Sequence, residues 1–157
     1  MFKSSIFLAS IVFIAIPQAF ACPTPSSLPS PVAQVTVSGG FRIGNQDPYG
    51  VRVYSDGSVI GFRGANSIPL AQTSSNVSAS FNSFAVSIVA GQLYDPNPLA
   101  PICADAPLIK YEAFDSQCDP ITFSQQENCH DQFLLQGNAY YLRRVLDGWL
   151  QLASPLL

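Results

Sequence analysis

Three of the chain's four cysteines fall between positions 103 and 129, in the stretch "CADAPLIKYEAFDSQCDPITFSQQENC". Between them run "LIKYEAF" and "ITF", short alternations of apolar and polar residues that leave one face of a strand buried and the other wet. A fold for this chain has to satisfy extended strands and closely grouped sulfurs at once. What the sulfurs do depends on the compartment, because disulfides persist in exported chains and thiols in cytosolic ones.

The first residues point to export. Lys3 supplies a positive start, "IFLASIVFIAI" an apolar run, and "AFA" small residues at −1 and −3 before Cys22. That is the pattern of a secretory signal peptide over 1–21, cut after Ala21. The apolar run falls short of the roughly 20 residues that a bilayer span needs, and no later segment reads as a span. Four oxidised cysteines form two bonds in any of three connectivities. Cys103 and Cys118 are the nearest pair able to close a useful loop, which favours Cys103–Cys118 and leaves Cys22–Cys129 to tie down the N-terminal arm. On that pairing Cys103→Ser and Cys118→Ser damage folding equally.

Residues 22–31, "CPTPSSLPSP", are a Pro/Ser-rich extended arm. From 32 onward the dominant period is two. "VAQVTVSGG" and "FRI" alternate around a glycine pair, and Asp56-Gly57 between "VRVY" and "SVIGF" predicts a hairpin. "GANSIPLAQTSSNVSAS" reads as a polar loop; it carries the chain's one Asn-x-Ser sequon at Asn76, an acceptor for N-linked glycan in a eukaryotic secretory pathway. "FNSFAVSIVAGQLYD" reads as a strand through Phe84, Val86 and Ile88. "PNPLAP" is unsuited to a central strand. "LIKYEAF" and "PITF" are two strands around Cys118. Over 138–150, Leu142, Val145, Leu146, Trp149 and Leu150 mark a helix face with Asn138 as its cap. Two strands around Asp147-Gly148 are the reading slightly favoured, since Tyr140-Tyr141 suits a strand and Gly148 costs a helix about 1 kcal/mol. The expected fold is all-β: a single disulfide-stapled β-sandwich or barrel over 32–129, with 130–157 as an extension packed on it and a short C-terminal helix as the alternative ending.

The residues offer little reactive chemistry. Structural zinc wants closely paired Cys or His ligands, whereas the cysteine gaps here are wide and Cys129-His130 are adjacent. The acids do not follow a calcium-loop template. No metal or other cofactor is expected. His130 is the one histidine, and no Gly-x-Ser-x-Gly elbow accompanies it, so it reads as a surface residue. Asp115 and Asp119 flank Cys118 in loop-like sequence, where Asp caps turns; a glycosidase carboxylate pair is the weaker reading. Seven Lys and Arg against ten Asp and Glu give a formal net charge of −3, more negative still once Lys3 leaves with the signal peptide. Nucleic acid and anionic membrane are poor partners for such a chain.

Cys103, the aromatic run "YEAFD", "QCDPITF" and Cys129, preceded by "FAVSIVAGQLYD", resemble the C-terminal four-cysteine domain of fungal cell-wall mannoproteins with internal repeats. Tyr111, Asp115, Gln117, Cys118 and Pro120 carry the match, with Cys22 as the distant cysteine. "SPVAQVTVSGGFRIGN" and "VRVYSDGSVIGFRGANS" look like segments of small secreted fungal proteins, the phialide-type cell-wall and IgE-binding antigens. The two resemblances together span about 30–129. The Gln-rich tandem repeat through which the mannoproteins are linked to glucan is missing, so covalent wall attachment is not implied, and 130–157 has no counterpart.

The resemblance implies a secreted, non-enzymatic component of the fungal cell wall or a surface antigen. Such a protein is expected to be monomeric and in non-covalent contact with wall polysaccharide. A small secreted effector or glycan-binding module is the alternative, and a polysaccharide hydrolase a distant third. Tyr111, Asp115 and Gln117 either support the turn at Cys118 or line a binding surface.

Overall fold

The computed structural model describes residues 29–40, 47–99, 101–103, 105–115 and 117–157. The signal peptide, Cys22 and most of the Pro/Ser-rich arm lie outside the described residues, as does the "FRI" alternation.

Seven antiparallel strands form one sheet in the order β4-β3-β2-β1-β5-β6-β7. β1 (Pro31–Ser38), β2 (Tyr49–Tyr54), β3 (Ser58–Arg63) and β4 (Asn66–Gln72) meander outward from the centre to one edge. A helix, α1 (Ser75–Ser87), then leads back, and β5 (Leu108–Phe114), β6 (Pro120–Glu127) and β7 (His130–Phe133) meander from the centre to the other edge. The last element is α2 (Ala139–Ala153). The β-rich, antiparallel, disulfide-stapled domain is as expected, but the sheet runs from β4 to β7 without closing. The second layer is helical: α1 packs on β1 and β5, and α2 on β2, β1 and β6.

Turn chemistry fixes the hairpins. Gly57 (φ 86°) closes the β2–β3 turn, where Asp56 Oδ1 accepts from the Ser58 amide at 2.8 Å. This is the Asp-Gly hairpin read from the sequence. Between β6 and β7 the loop is only Asn128 and Cys129, both at positive φ (51° and 67°), as a type I′ turn requires.

One face of the sheet carries the core. Ala33, Val35, Val51, Val53, Val59, Tyr111, Ala113 and Phe123 are buried there beneath Phe81, Phe84, Leu142 and Leu146 of the helices. The Phe84 and Phe123 rings meet edge to face, 5.2 Å between centres. Each such large side chain contributes about 1.5–3 kcal/mol by leaving water. A bulge between β5 and β6, where the register shifts at Tyr111/Glu112, accompanies the burial of both Phe123 and Ser124. On the other face Gly50 has a specific role: a Cβ there would stand 1.9 Å from the Val35 carbonyl oxygen and 3.0 Å from the Phe62 ring.

Three sequence readings need correction. Residues 66–72 are strand and 75–87 are helix, although 64–80 reads as loop and 81–95 as strand. Ser74 caps α1 by accepting from the Val77 amide, and Ser78, Phe81, Phe84 and Ala85 form its buried stripe, while Val86 points to solvent. The segment 139–153 is also helix rather than two strands; Leu142, Leu146 and Ala153 are buried, and Tyr140 and Tyr141 are exposed. Asn138 sits at its N-cap position without a side-chain capping bond.

The third correction concerns the disulfide. Cys103 bonds to Cys129, with Cα atoms 5.5 Å apart, and not to Cys118. The hairpin explains why. Cys103 precedes β5 and Cys118 lies in the turn after it, so an extended strand of about 20 Å separates them. β6 runs back and returns Cys129 to the side of Cys103, whose amide donates to the Asn128 carbonyl at 3.0 Å. Cys118 is also disulfide-bonded.

The bond closes a 26-residue separation, worth about 3–4 kcal/mol on the loop-entropy scale. Cys103→Ser and Cys129→Ser should therefore lose the same stability, with the double variant no worse than either, in denaturant titrations. Gly50→Ala should cost at least about 3 kcal/mol because its Cβ meets backbone. Gly148→Ala, on the open side of α2 with nothing within 4 Å of the added Cβ, should gain about 0.5–1 kcal/mol.

Candidate functional site

The densest group of ionisable side chains lies where Arg143 and Asp147 of α2 reach residues of β5, β6 and β7. Arg143, on the first half of α2, reaches down to the sheet. Its Nη2 donates to Asp131 Oδ1 at 2.8 Å, its Nη1 to Ser124 Oγ at 3.3 Å, and its Nε lies 3.9 Å from Asp147 Oδ2 one helical turn on. The guanidinium carbon stands 5.0 Å from the centre of the Tyr111 ring, within range of a cation–π contact. The Tyr111 hydroxyl donates to Asp147 Oδ1, and Ser124 Oγ donates to the Gln132 carbonyl at 2.8 Å. Three strands and one helix thus share a single polar knot.

Burial sets its electrostatics. Tyr111 is only 2% exposed, and burial, reinforced by the hydrogen bond to Asp147, pushes its pKa well above the ordinary phenol value. For Arg143, burial works against the charge, but the bond to Asp131 and the attraction of the surrounding groups outweigh it, so its pKa is raised. The arrangement bolts a helix to a sheet: a mostly covered cation is matched by two partly exposed carboxylates, and a buried hydroxyl is satisfied by one of them.

A second, smaller pair lies toward the β7 edge. His130 Nδ1 is 2.9 Å from Asp95 Oδ2, and the isolated bridge of Tyr94 to Phe133 runs alongside. The Asn97 amide donates to Asp95, and with the His130 bond it holds the carboxyl below its usual range. His130 is thus a half-buried clasp for the 94–97 segment, not a free surface residue. Its Nε2 is buried without a hydrogen-bond partner.

The sequence-predicted residues separate. Tyr111 cannot line a surface, since its ring is inside the core, between β1 and β6. Asp115 supports the turn: its Oδ1 accepts from the Gln117 amide at 2.8 Å and the Asp119 amide at 3.0 Å, and the Cys118 amide donates to its carbonyl. Gln117 is exposed at that turn, so the structure does not bring these three together. Asn76 is exposed in the first turn of α1, with Ser78 buried behind it and donating to the Ser55 carbonyl at 3.3 Å. Arg143, Asp147 and Asp131 were missed by sequence reasoning. The i,i+4 spacing of Arg143 and Asp147 marks a pair only once 139–153 is read as helix, and nothing local marks Asp131.

Among the described residues, no group of three or more His, Cys, Asp or Glu side chains is placed to hold a metal ion, and no helix is long and apolar enough to cross a membrane. No family model matches the chain, and neither does any curated protein or solved structure.

Because the folded pKa of Tyr111 is raised, its contribution is complete below the unfolded phenol value of about 10 and is lost as pH rises beyond it. Tyr111→Phe should cost about 1.5–3 kcal/mol at neutral pH yet move the alkaline unfolding midpoint upward relative to the neutral stability. In an absorbance titration, the late tyrosine that ionises only on unfolding should vanish in the variant.

Proposed function

We propose that this chain is a secreted, wall-associated structural protein of fungal type, a monomeric glycoprotein displayed as a surface antigen rather than an enzyme. The observation that carries the reading is the oxidised state of the described cysteines: Cys103 is bonded to Cys129, and Cys118 is in a disulfide as well. Such bonds are stable outside the reducing cytosol, and a signal-peptide pattern precedes the domain. Two further features support a structural role. Arg143, Asp131, Asp147 and Tyr111 turn their bonding capacity on one another, which fits load-carrying between layers. Asn76 is exposed, which suits a glycan. The likeness of about 30–129 to fungal wall mannoproteins and antigens supplies the cell wall as the setting and wall polysaccharide as a non-covalent partner.

Expression of the full chain in a secreting fungal host, followed by fractionation, tests this. The expected product is found in the medium and the wall fraction, begins at Cys22, changes gel mobility on reduction, and loses an endoglycosidase-sensitive mass in Asn76→Gln. Retention of the uncleaved chain inside the cell with reduced thiols would sink the reading.

A further inference from the structure

The helices cover one face of the sheet. On the other, Arg52, Tyr54, Ile60, Phe62, Asn66 and Ser67 line an open cleft of about 230 Å³ near the β3–β4 turn. We propose that this cleft is a subsite for one carboxylate-bearing sugar unit of an acidic polysaccharide, with Arg52 as its anchor. The inference rests on the polysaccharide contact of the preceding reading and names its chemistry.

Arg52 is held in place without being neutralised. Its Nε and Nη2 donate to Gln34 Oε1 at 3.2 and 3.0 Å, and its guanidinium carbon lies 5.1 Å from the centre of the Phe62 ring. Gln34 Nε2 in turn donates to Glu112 Oε2 at 2.7 Å, so Glu112 fixes which way the Gln34 amide points and thereby aims its oxygen at Arg52. The Phe62 ring lies over Gly50, where a side chain would collide with it. Four strands therefore fix the plane of one guanidinium. Among the described residues no carboxylate pairs with it, and its Nη1 carries no bond. The two acids bordering this region are engaged, Glu112 with Gln34 and Asp47, beside Gly64, with a partner of its own.

A pre-oriented guanidinium fork matches a carboxylate in bidentate fashion. Ile60 and Phe62 give an apolar floor for the C–H face of a pyranose ring, and the exposed Asn66 and Ser67 offer an amide and a hydroxyl for ring hydroxyls. The volume is below the roughly 300–1,000 Å³ typical of drug-sized ligand sites, which suits a single ring with its neighbours lying across the open sheet face. A neutral sugar leaves the Arg52 charge unmatched, and a simple acid gains nothing from the apolar floor.

Calorimetric titration of the folded, secreted protein tests this with three probes: trigalacturonate, the neutral trigalactose of the same linkage, and acetate. Trigalacturonate should bind at least about tenfold more tightly than either comparison probe, and weaken in about 0.5 M salt. Arg52→Gln should lose about tenfold or more, Arg52→Lys and Gln34→Leu should lose part, and all three should keep the parent's circular dichroism, since these side chains lie outside the core. If a variant fails to fold, amide shifts in the parent protein decide the matter: changes confined to β1, β2, β3 and residues 64–67 support the site, and changes elsewhere overturn it. Equal affinity for the acidic and neutral trisaccharides, acetate binding as tightly as trigalacturonate, or a folded Arg52→Gln with unchanged affinity would each overturn it. A protein that reaches the wall but ignores uronates removes this cleft and leaves the wall reading intact. Uronate binding by a chain that is never secreted does the reverse.

Discussion

Val35 occupies the middle of the central strand, paired with Val51 on one side and Tyr111 on the other, and it has no exposed surface. That one position states the constraint governing the rest: a seven-stranded sheet must have one face dry, and strands alone do not cover it. α1 and α2 exist to do so. Their buried residues, Phe81 and Phe84 on one and Leu142 and Leu146 on the other, all enter the same cluster as Val35. The opposite face is free to be polar, and Gln34, Arg52 and Glu112 occupy it in a hydrogen-bonded row across β2, β1 and β5.

Most strands and turns were legible because their signals are local. Asp56-Gly57 marks its hairpin by backbone chemistry alone, and "LIKYEAF" and "PITF" flank a turn as written. The helices were misread for a definite reason. Residues four apart satisfy both a period of two and a period near 3.6, so Phe84 and Ile88 fit either element. The deciding residue is Val86, between them, which a strand would bury and α1 leaves outside. At the C-terminus Tyr140-Tyr141 favours strand by propensity, but the apolar stripe of Leu142 and Leu146 has a sheet face to cover, and tertiary burial outweighs propensity. The disulfide differs from the expected pairing because nearness in sequence is not nearness in space. The two strands read on either side of Cys118 already place Cys103 and Cys129 at the same end.

The polar knot around Arg143 was beyond sequence reading, since it joins residues from β5, β6, β7 and α2 whose proximity depends on the whole topology. Its placement has a physical logic. There Asp131 and Asp147 remain partly wet, Arg143 is mostly covered and Tyr111 is buried. Charges so placed keep part of their hydration and still act through a reduced dielectric. The knot therefore orients α2 as well as holding it: Tyr111 and Ser124 accept one rotation of the helix, the one that points Arg143 downward.

The order of the strands divides the molecule into two meanders, β1 to β4 and β5 to β7, that touch within the sheet along a single seam, β1 against β5. Each meander pairs only sequence neighbours, so each has low contact order and can form quickly. The seam joins residues some 78 apart, such as Gln34 and Glu112, and has to wait. The Cys103–Cys129 bond ties the segment leading into β5 to the β6–β7 turn and does not cross the seam. The docking of the two meanders along that seam is the longest-range strand pairing the fold has to make.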